Sequence, residues 1–374
     1  MRARPAPARR VTVLGAGSWG TTFAKVLADG GSDVTLWARR PEMAREIREA
    51  RRNSQYLPGI NLPRNLTATS DLAMALTNID QLFLCVPSQT LRDNLIDLEP
   101  LLPPDIPVVS LMKGVEKGTG LRMSEVIAEV LPIDPTRIAV ASGPNLALEI
   151  AKKQPTAAVV SSVSMETAHE VALAARNPYF RSFVNTDVIG TEFGGVLKNL
   201  IAVAIGIVDG VGYGENTKAS IITRGLVEMT DFAVAHGAER ETLAGLAGLG
   251  DLIATCQSPL SRNNTAGRLL GQGYAFAEVV KQMNQTAEGL ASVAPILALA
   301  KSKGVEMPIV DQVGQVLAGT LAPADLAPHL TTDDTPRGER TTDDSQARPR
   351  AAFRRAFERA FDQLRHGGRG PRGA

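Results

Sequence analysis

Val11-Thr-Val-Leu14-Gly15-Ala-Gly17-Ser-Trp-Gly20-Thr-Thr-Phe-Ala-Lys-Val-Leu27 is the stretch on which the reading of this chain turns. Four residues of strand character run into glycines spaced G-x-G-x-x-G, and a helical pattern follows from Thr21 to Leu27. In that context each glycine has a task. Gly15 permits a tight turn, Gly17 lets the backbone approach a pyrophosphate, and Gly20 allows close helix packing. The helix N-terminus adds amide N–H groups and a positive dipole for phosphates. Ser18 and Trp19 lie inside the same turn. A glycine-rich turn of another α/β protein is the competing reading.

The alternation that begins there continues. Val34–Trp37, Gln81–Val86, Val108–Leu111, Ile138–Ala141 and Thr156–Val160 read as buried strands. Helical patterns such as 41–51 and 121–130 lie between several of them. This order predicts a parallel, doubly wound sheet. From about Asp187 to Gly319 strand signals vanish, and Ala/Leu/Ile/Val-rich helices punctuated by glycine clusters replace them. Beyond 330 the character changes again. Thr331–Asp344 repeats Thr-Thr-Asp-Asp in a polar run that predicts disorder. Phe353, Phe357, Phe361 and Leu364 then recur at helical spacing. The expected organisation is a basic arm (1–10), a dinucleotide-binding Rossmann-type domain (11–186), an all-helical substrate and catalytic domain (187–330), and a tail (331–374) carrying an amphipathic stretch at 351–364.

Composition narrows the function classes. The chain has 374 residues, 44% hydrophobic and 21% charged, as in a globular protein of roughly two domains. Its +1 formal charge conceals an uneven layout: residues 11–330 hold 26 basic against 32 acidic groups. No field draws nucleic acid or an anionic membrane to that body. Cys85 and Cys256 show no ligand spacing, so neither a metal centre nor a disulfide framework is expected. The basic start lacks the apolar core of a signal peptide. The apolar stretch 196–208 is broken by Lys198 and Asn199, and is shorter than the ~20 residues a membrane span needs. The expected location is the cytoplasm, without a membrane span.

Further segments carry candidate chemistry. Ala38-Arg39-Arg40 follows the second strand, where an NAD site commonly has an acidic residue. Two guanidiniums suit a 2′-phosphate, so NADP is expected to be accepted alongside NAD, with solvated arginines as the alternative. Lys113, in Ser110-Leu-Met-Lys-Gly114, stands past the carboxyl end of a strand. Ser142-Gly143-Pro-Asn145-Leu-Ala147-Leu-Glu149 follows another strand. Lys198 interrupts an apolar helix, where desolvation can bring a lysine towards neutral titration; a lysine snorkelling to the surface fits the same pattern. Asp251 follows a glycine-rich turn. Ser261-Arg262-Asn263 precedes a helix at 265–270, as either a phosphate cradle or an ordinary serine cap.

With these residues in place, the chain resembles bacterial-type NAD(P)-dependent glycerol-3-phosphate dehydrogenases over about 11–319. GAGSWGTTFA, SLMKGVEKGTG, ASGPNLALEIA, GGVLKNLIAVAIGIVDGVGYGENTKASIITRGLVEM, AGLGDLIATC, SRNNTAGRLLGQG and GVEMPIV carry the resemblance. It implies reversible reduction of dihydroxyacetone phosphate to sn-glycerol 3-phosphate with NADH or NADPH, for phospholipid synthesis, in a homodimer. It also implies cofactor contacts at Ser18, Trp19, Arg39, Lys113, Ala147, Arg262 and Glu288, with Thr286 beside the last. Substrate contacts are implied at Lys113, Gly143, Asn145, Lys198, Asp251, Ser261, Arg262 and Asn263. Lys198 becomes the proton donor and acceptor, Lys113 the electrostatic stabiliser, and Asp251 the partner that orients Lys198. The family generally ends near Ala318, so the tail departs from its pattern. A hydroxy-acid dehydrogenase of the same architecture, or a catalytically silent NADP-binding protein, are the competing functions.

Overall fold

The computed structural model describes residues 9–259, 261–283 and 288–327. Most of the basic arm, Thr286, the tail 331–374 and its stretch 351–364 lie outside the described residues, as does the side chain of Glu288.

Eight strands form one sheet: β1 (Arg10–Leu14), β2 (Asp33–Trp37), β3 (Leu66–Thr69), β4 (Gln81–Leu84), β5 (Val108–Ser110), β6 (Ile138–Ser142), β7 (Thr156–Ser161) and β8 (Phe180–Asn185). Their order is β3-β2-β1-β4-β5-β6-β7-β8. The first six run parallel; β7 pairs antiparallel with β6 and parallel with β8, so the last two strands run against the rest. Alternate residues feed two cores. Val13, Phe83, Val109 and Ala139 pack on one face with Phe23 and Phe180, while Leu84, Val108 and Ile138 pack on the other with Leu91, Leu95 and Ile127. Burial on both faces explains the near-continuous apolar runs. β3 and β8 escaped the sequence reading because both are edge strands. Leu66-Thr-Ala-Thr69 is short, and β8 leaves Phe183 56% exposed, so neither shows such a run.

β1 lies between β2 and β4, pairing Val11 with Val34 on one side and with Gln81 on the other. Chain order reverses here, which opens a crevice beyond the carboxyl ends of β1 and β4. The glycine turn and Cys85 stand at that crevice.

No strand follows Asn185 among the described residues. The helix Val188–Val211 forms the axis of this half. The Asp187 side chain caps its start by accepting from the Gly190 amide at 2.8 Å, and Gly212 ends it at φ +96°. The helix has 24 residues, longer than the sequence reading allowed, so length does not separate it from a membrane span. Burial does: 83% of its most apolar window is covered by the rest of the protein.

Glycine sets how closely its neighbour approaches. A Cβ on Gly206 would strike the Asn264 carbonyl, and one on Gly267 the Val203 carbonyl. Gly210 and Gly271 repeat the reciprocal contact one turn on. The helix Arg262–Gly271 therefore lies backbone against backbone on the long helix. That draws Ser261–Asn263 in beside the segment carrying Lys198.

Candidate active site

The glycine turn has the geometry its spacing predicts. Gly15 has φ +117°, and a Cβ there would enter the Cys85 carbonyl. At Gly20 a Cβ would enter the carbonyl of Gly15, so the helix Ser18–Asp29 packs against the turn itself. Gly17 faces open space and is the N-cap of that helix, with no side-chain cap of its own. Its amide-lined end is thus presented to the crevice.

A second segment clamps this turn. Asn53, fully buried, donates its amide to the Ala16 carbonyl (2.9 Å) and to Thr21 Oγ1 (2.8 Å). Ser18 Oγ donates to the Tyr56 carbonyl at 2.5 Å. Nothing in sequence periodicity pointed to 53–56, because these residues follow the end of a helix and belong to no repeat. Arg39 is exposed, whereas Arg40 is engaged: it donates to Gln55 Oε1 at 2.5 Å and lies over the Tyr56 ring at 5.8 Å. The paired arginines thus differ, and Arg39 is the one facing solvent. Trp19 stands edge-on to Phe23 at 5.4 Å. Ala147 begins the short helix Ala147–Ala151, and its carbonyl accepts from Thr22 at 3.3 Å.

Below the turn, two lysines share one carboxylate. Lys198 Nζ donates to Asp251 Oδ1 at 2.9 Å, and Lys113 Nζ to Asp251 Oδ2 at 2.5 Å. Lys198 also donates to Thr255 Oγ1 (2.6 Å), and Lys113 to the Gly143 carbonyl (3.1 Å). Asp251 is 1% exposed and Lys198 7%. Snorkelling is therefore wrong for Lys198: its head points into the protein. The expectation that Asp251 serves Lys198 was incomplete, since it bridges both ammonium groups. Thr255, one turn after Asp251, was missed; a hydroxyl at i+4 on the same helix was the available signal.

Adjacent glycines assemble this cluster. A Cβ on Gly194 would strike the Ala247 carbonyl, so the turn leading to Asp251 can lie directly on the long helix. A Cβ on Gly195 would crowd Ser142 Oγ and the Lys113 stem, at 2.9 and 3.2 Å. Pro144 lies within 3.7 Å of where a Cβ of Gly250 would sit, which brings the Gly143–Asn145 turn against the residues before Asp251. Burial pulls the Lys113 amine from 10.5 down to about 8, and the Lys198 charge adds to that fall while Asp251 opposes it. Burial pushes the Cys256 thiol up to about 12, which makes it a poor nucleophile.

The Ser261–Asn263 segment does two jobs. Ser261 Oγ caps the helix Arg262–Gly271 by accepting from the Asn264 amide at 3.3 Å, the bland role weighed above. Asn263 Oδ1 accepts from the Gly289 amide at 3.1 Å, beside the carbonyl of Asn199. Arg262 is exposed at the helix start. Glu288 begins the helix Glu288–Ser302.

The crevice holds polar atoms that lack protein partners. Trp19 Nε1, Ser142 Oγ and Asn145 Oδ1 are buried without a hydrogen bond. Buried polar groups are ordinarily satisfied, so orphans gathered here fit a polar ligand. With the open amide end at Gly17 and the exposed Arg39, the residues fit a dinucleotide. The groove of about 920 Å³ lined by Phe276, Val280, Leu290 and Leu299 is apolar and contains none of the lysine cluster.

Comparison with known proteins agrees with this geometry. The family described as NAD-dependent glycerol-3-phosphate dehydrogenase matches through its N-terminal model at residues 10–168 and its C-terminal model at 187–328. A glycerol-3-phosphate dehydrogenase [NAD(P)+] of Leifsonia xyli subsp. xyli is 75% identical over 361 residues, covering 95% of this chain and 98% of its own. Residues 1–327 are only 87% of 374, so that match runs into the tail, which is therefore not foreign to every relative. One from Thermobifida fusca is 54% identical over 317 residues, 84% of this chain and 94% of its own. The crystal structure of glycerol-3-phosphate dehydrogenase from Coxiella burnetii superposes with a TM-score of 0.82 at 36% identity, covering 86% of this chain and 98% of that one. The chain belongs to the NAD-dependent glycerol-3-phosphate dehydrogenase family.

Proposed function

We infer that the chain catalyses reversible NAD(P)H-dependent reduction of dihydroxyacetone phosphate to sn-glycerol 3-phosphate, the reaction for which its family is named. The observation that carries this reading is the single buried carboxylate holding two ammonium groups at the mouth of a dinucleotide crevice. The bound nicotinamide supplies the hydride. The protein's part concerns the oxygen at C2, where negative charge develops as the carbonyl is reduced. Lys198 donates a proton to that oxygen and recovers it in the oxidation direction. Lys113 holds a positive charge beside the same oxygen and is worth most in the transition state. Asp251 supplies the one counter-charge that both ammonium groups share, at 2.9 Å from Lys198 and 2.5 Å from Lys113. Thr255 accepts from Lys198 and fixes the direction of its head.

Arg262 and Asn263, at a helix start, would hold the substrate phosphate, with Ser261 ordering the amides around it. Gly143 and Asn145 would line the carbon chain. The helix N-terminus at Ser18 would take the cofactor's pyrophosphate, with Trp19 and Ala147 along its path. Arg39 would meet a 2′-phosphate, while Arg40 shapes the wall through Gln55 and Tyr56. Glu288 and Thr286 remain assigned to the cofactor by resemblance. The division at 186/187, the homodimer and the cytoplasmic location belong to the same reading.

Oxidation of NADPH and NADH dependent on dihydroxyacetone phosphate tests the assignment and ranks the two cofactors. Absence of turnover with both would sink it, and turnover with a 2-keto acid instead would favour the hydroxy-acid alternative. Arg262→Ala is expected to raise KM for dihydroxyacetone phosphate about ten- to hundredfold, the scale of a lost hydrogen bond to a charged group. An unchanged KM would take the phosphate away from Arg262.

Acidity gives a separate check. A Lys113 amine brought down to about 8 loses its proton, and with it its charge, as pH rises through that value. kcat/KM for dihydroxyacetone phosphate should therefore fall on the alkaline side of about 8, whereas an ordinary lysine would hold out to 10.5. Lys113→Arg, whose guanidinium keeps its proton, should move that limb upward. A profile flat to pH ~10 would exclude Lys113 as its source.

A further inference from the structure

Glu192 is a buried carboxyl outside the groups described so far. It stands on the long helix before Lys198 and is 6% exposed. Its Oε1 accepts from the Ser124 amide at 2.9 Å; its Oε2 accepts from Ser124 Oγ at 2.5 Å and from Arg122 Nη1 at 2.6 Å. Arg122 and Ser124 belong to the other half of the molecule, at the start of the helix Met123–Val130. Arg122 is engaged on every side. It pairs with Glu125 at 2.8 Å and lies over the ring of Phe193 at 5.9 Å. Its backbone bridges antiparallel to Val115, two residues after Lys113, and so pins the far end of the segment 111–114 that carries Lys113 out of β5. The Glu116 amide donates to the Leu121 carbonyl at 2.9 Å, a second tie beside that bridge.

We propose that Glu192 is a positioning residue: through Arg122 and Ser124, and the bridge from Arg122 to Val115, it sets the segment bearing Lys113 against the helix bearing Lys198, so that both ammonium groups meet Asp251. The proposal rests on the roles given to Lys113 and Lys198 above. Lys198 rides on a helix, but Lys113 rides on the irregular segment 111–114 between β5 and the Val115–Arg122 bridge, whose far end needs a fixed reference. Glu192 supplies that reference from the very helix that holds Lys198. A displacement of about 1 Å in such a group can lower turnover ~100-fold. A carboxyl that merely joined the two halves would behave differently. Its loss would lower the folded fraction and leave turnover per folded site unchanged.

The test uses Glu192→Gln in the full chain, with active sites counted by NADPH binding. The amide keeps the shape and an acceptor but gives Arg122 no charge. kcat per site is expected to fall about tenfold, with the NADPH Kd within about twofold of the parent. On a Lys113→Ala background the same substitution should cause no further fall, because Glu192 acts through Lys113. Ser124→Ala removes one hydroxyl from the same carboxyl and serves if Glu192→Gln does not fold; kcat about threefold lower is expected. Parental kcat per site in both variants would overturn the proposal, as would the full loss repeated on the Lys113→Ala background. Parental turnover in Lys113→Ala alone would instead overturn the role of Lys113, so the two failures are distinguishable.

Discussion

Lys198→Ala is expected to lower kcat by about a thousandfold, within the range a positioned general acid contributes, while NADPH still binds. The separation of the two effects follows from where the residue sits. Lys198 Nζ is tied to Asp251 and Thr255 in the helical half, whereas the glycine turn and its Asn53 clamp belong to the sheet. The helix around Lys198 is secured by its Asp187 cap and its glycine contacts, neither of which uses the lysine head. Lys198→Arg sharpens the result: it restores a cation, but a guanidinium keeps its proton, so it should stay close to the alanine variant. Steady-state turnover together with NADPH binding by fluorescence checks both. Parental turnover in Lys198→Ala would remove it from the proton transfer.

Asp251→Ala is expected to be damaging twice over. Asp251 is 1% exposed and accepts from Lys113, Lys198 and Thr255. Removing it leaves two ammonium groups buried together with no counter-charge, and breaking a buried pair from one side costs about 3–5 kcal/mol. The protein relieves that cost by shedding a proton, and the two amines then titrate as a coupled pair. One lysine is neutral at the pH of assay, so kcat should fall about a hundredfold or more. Denaturant unfolding and kcat should therefore drop together. Asp251→Asn, which keeps the size but not the charge, should resemble alanine more than the parent. A loss of stability under about 1 kcal/mol would show that charge does not hold the cluster together.

Some of this was legible before any coordinates. The glycine turn was, because each glycine answers a local need: a left-handed φ at Gly15, open approach at Gly17, and contact between helix and turn at Gly20. Lys113 was legible from its place after a strand. Lys198 alone was ambiguous, since a lysine on an apolar helix points inward or snorkels outward with the same sequence pattern. The resemblance to a family decided for the inward reading before the burial of its head was seen. Ser261 went the other way; its hydroxyl serves as the helix cap that its residue type most often provides.

The residues that escaped share a cause. Asn53, Thr255 and Glu192 each act through a partner that local pattern does not reveal. Asn53 holds Ala16 and Thr21 from a turn with no periodicity, and Glu192 reaches Arg122 across the junction of the two halves. The antiparallel course of β7 and β8 was equally hidden. An apolar run shows that a strand is buried, not which way it points.

By itself the sequence determined the kinds of element, the cofactor turn and the list of cations, because burial period, glycine conformation and charge are properties of short segments. The tertiary structure alone decided that one carboxylate serves two lysines. Asp251 lies 138 residues from Lys113 and 53 from Lys198 along the chain. They meet because glycines at 194 and 195 let a turn and a lysine stem lie directly on the long helix. Such a meeting is set by the volume of side chains that are absent, and it becomes visible only once the surfaces that would have collided are in place.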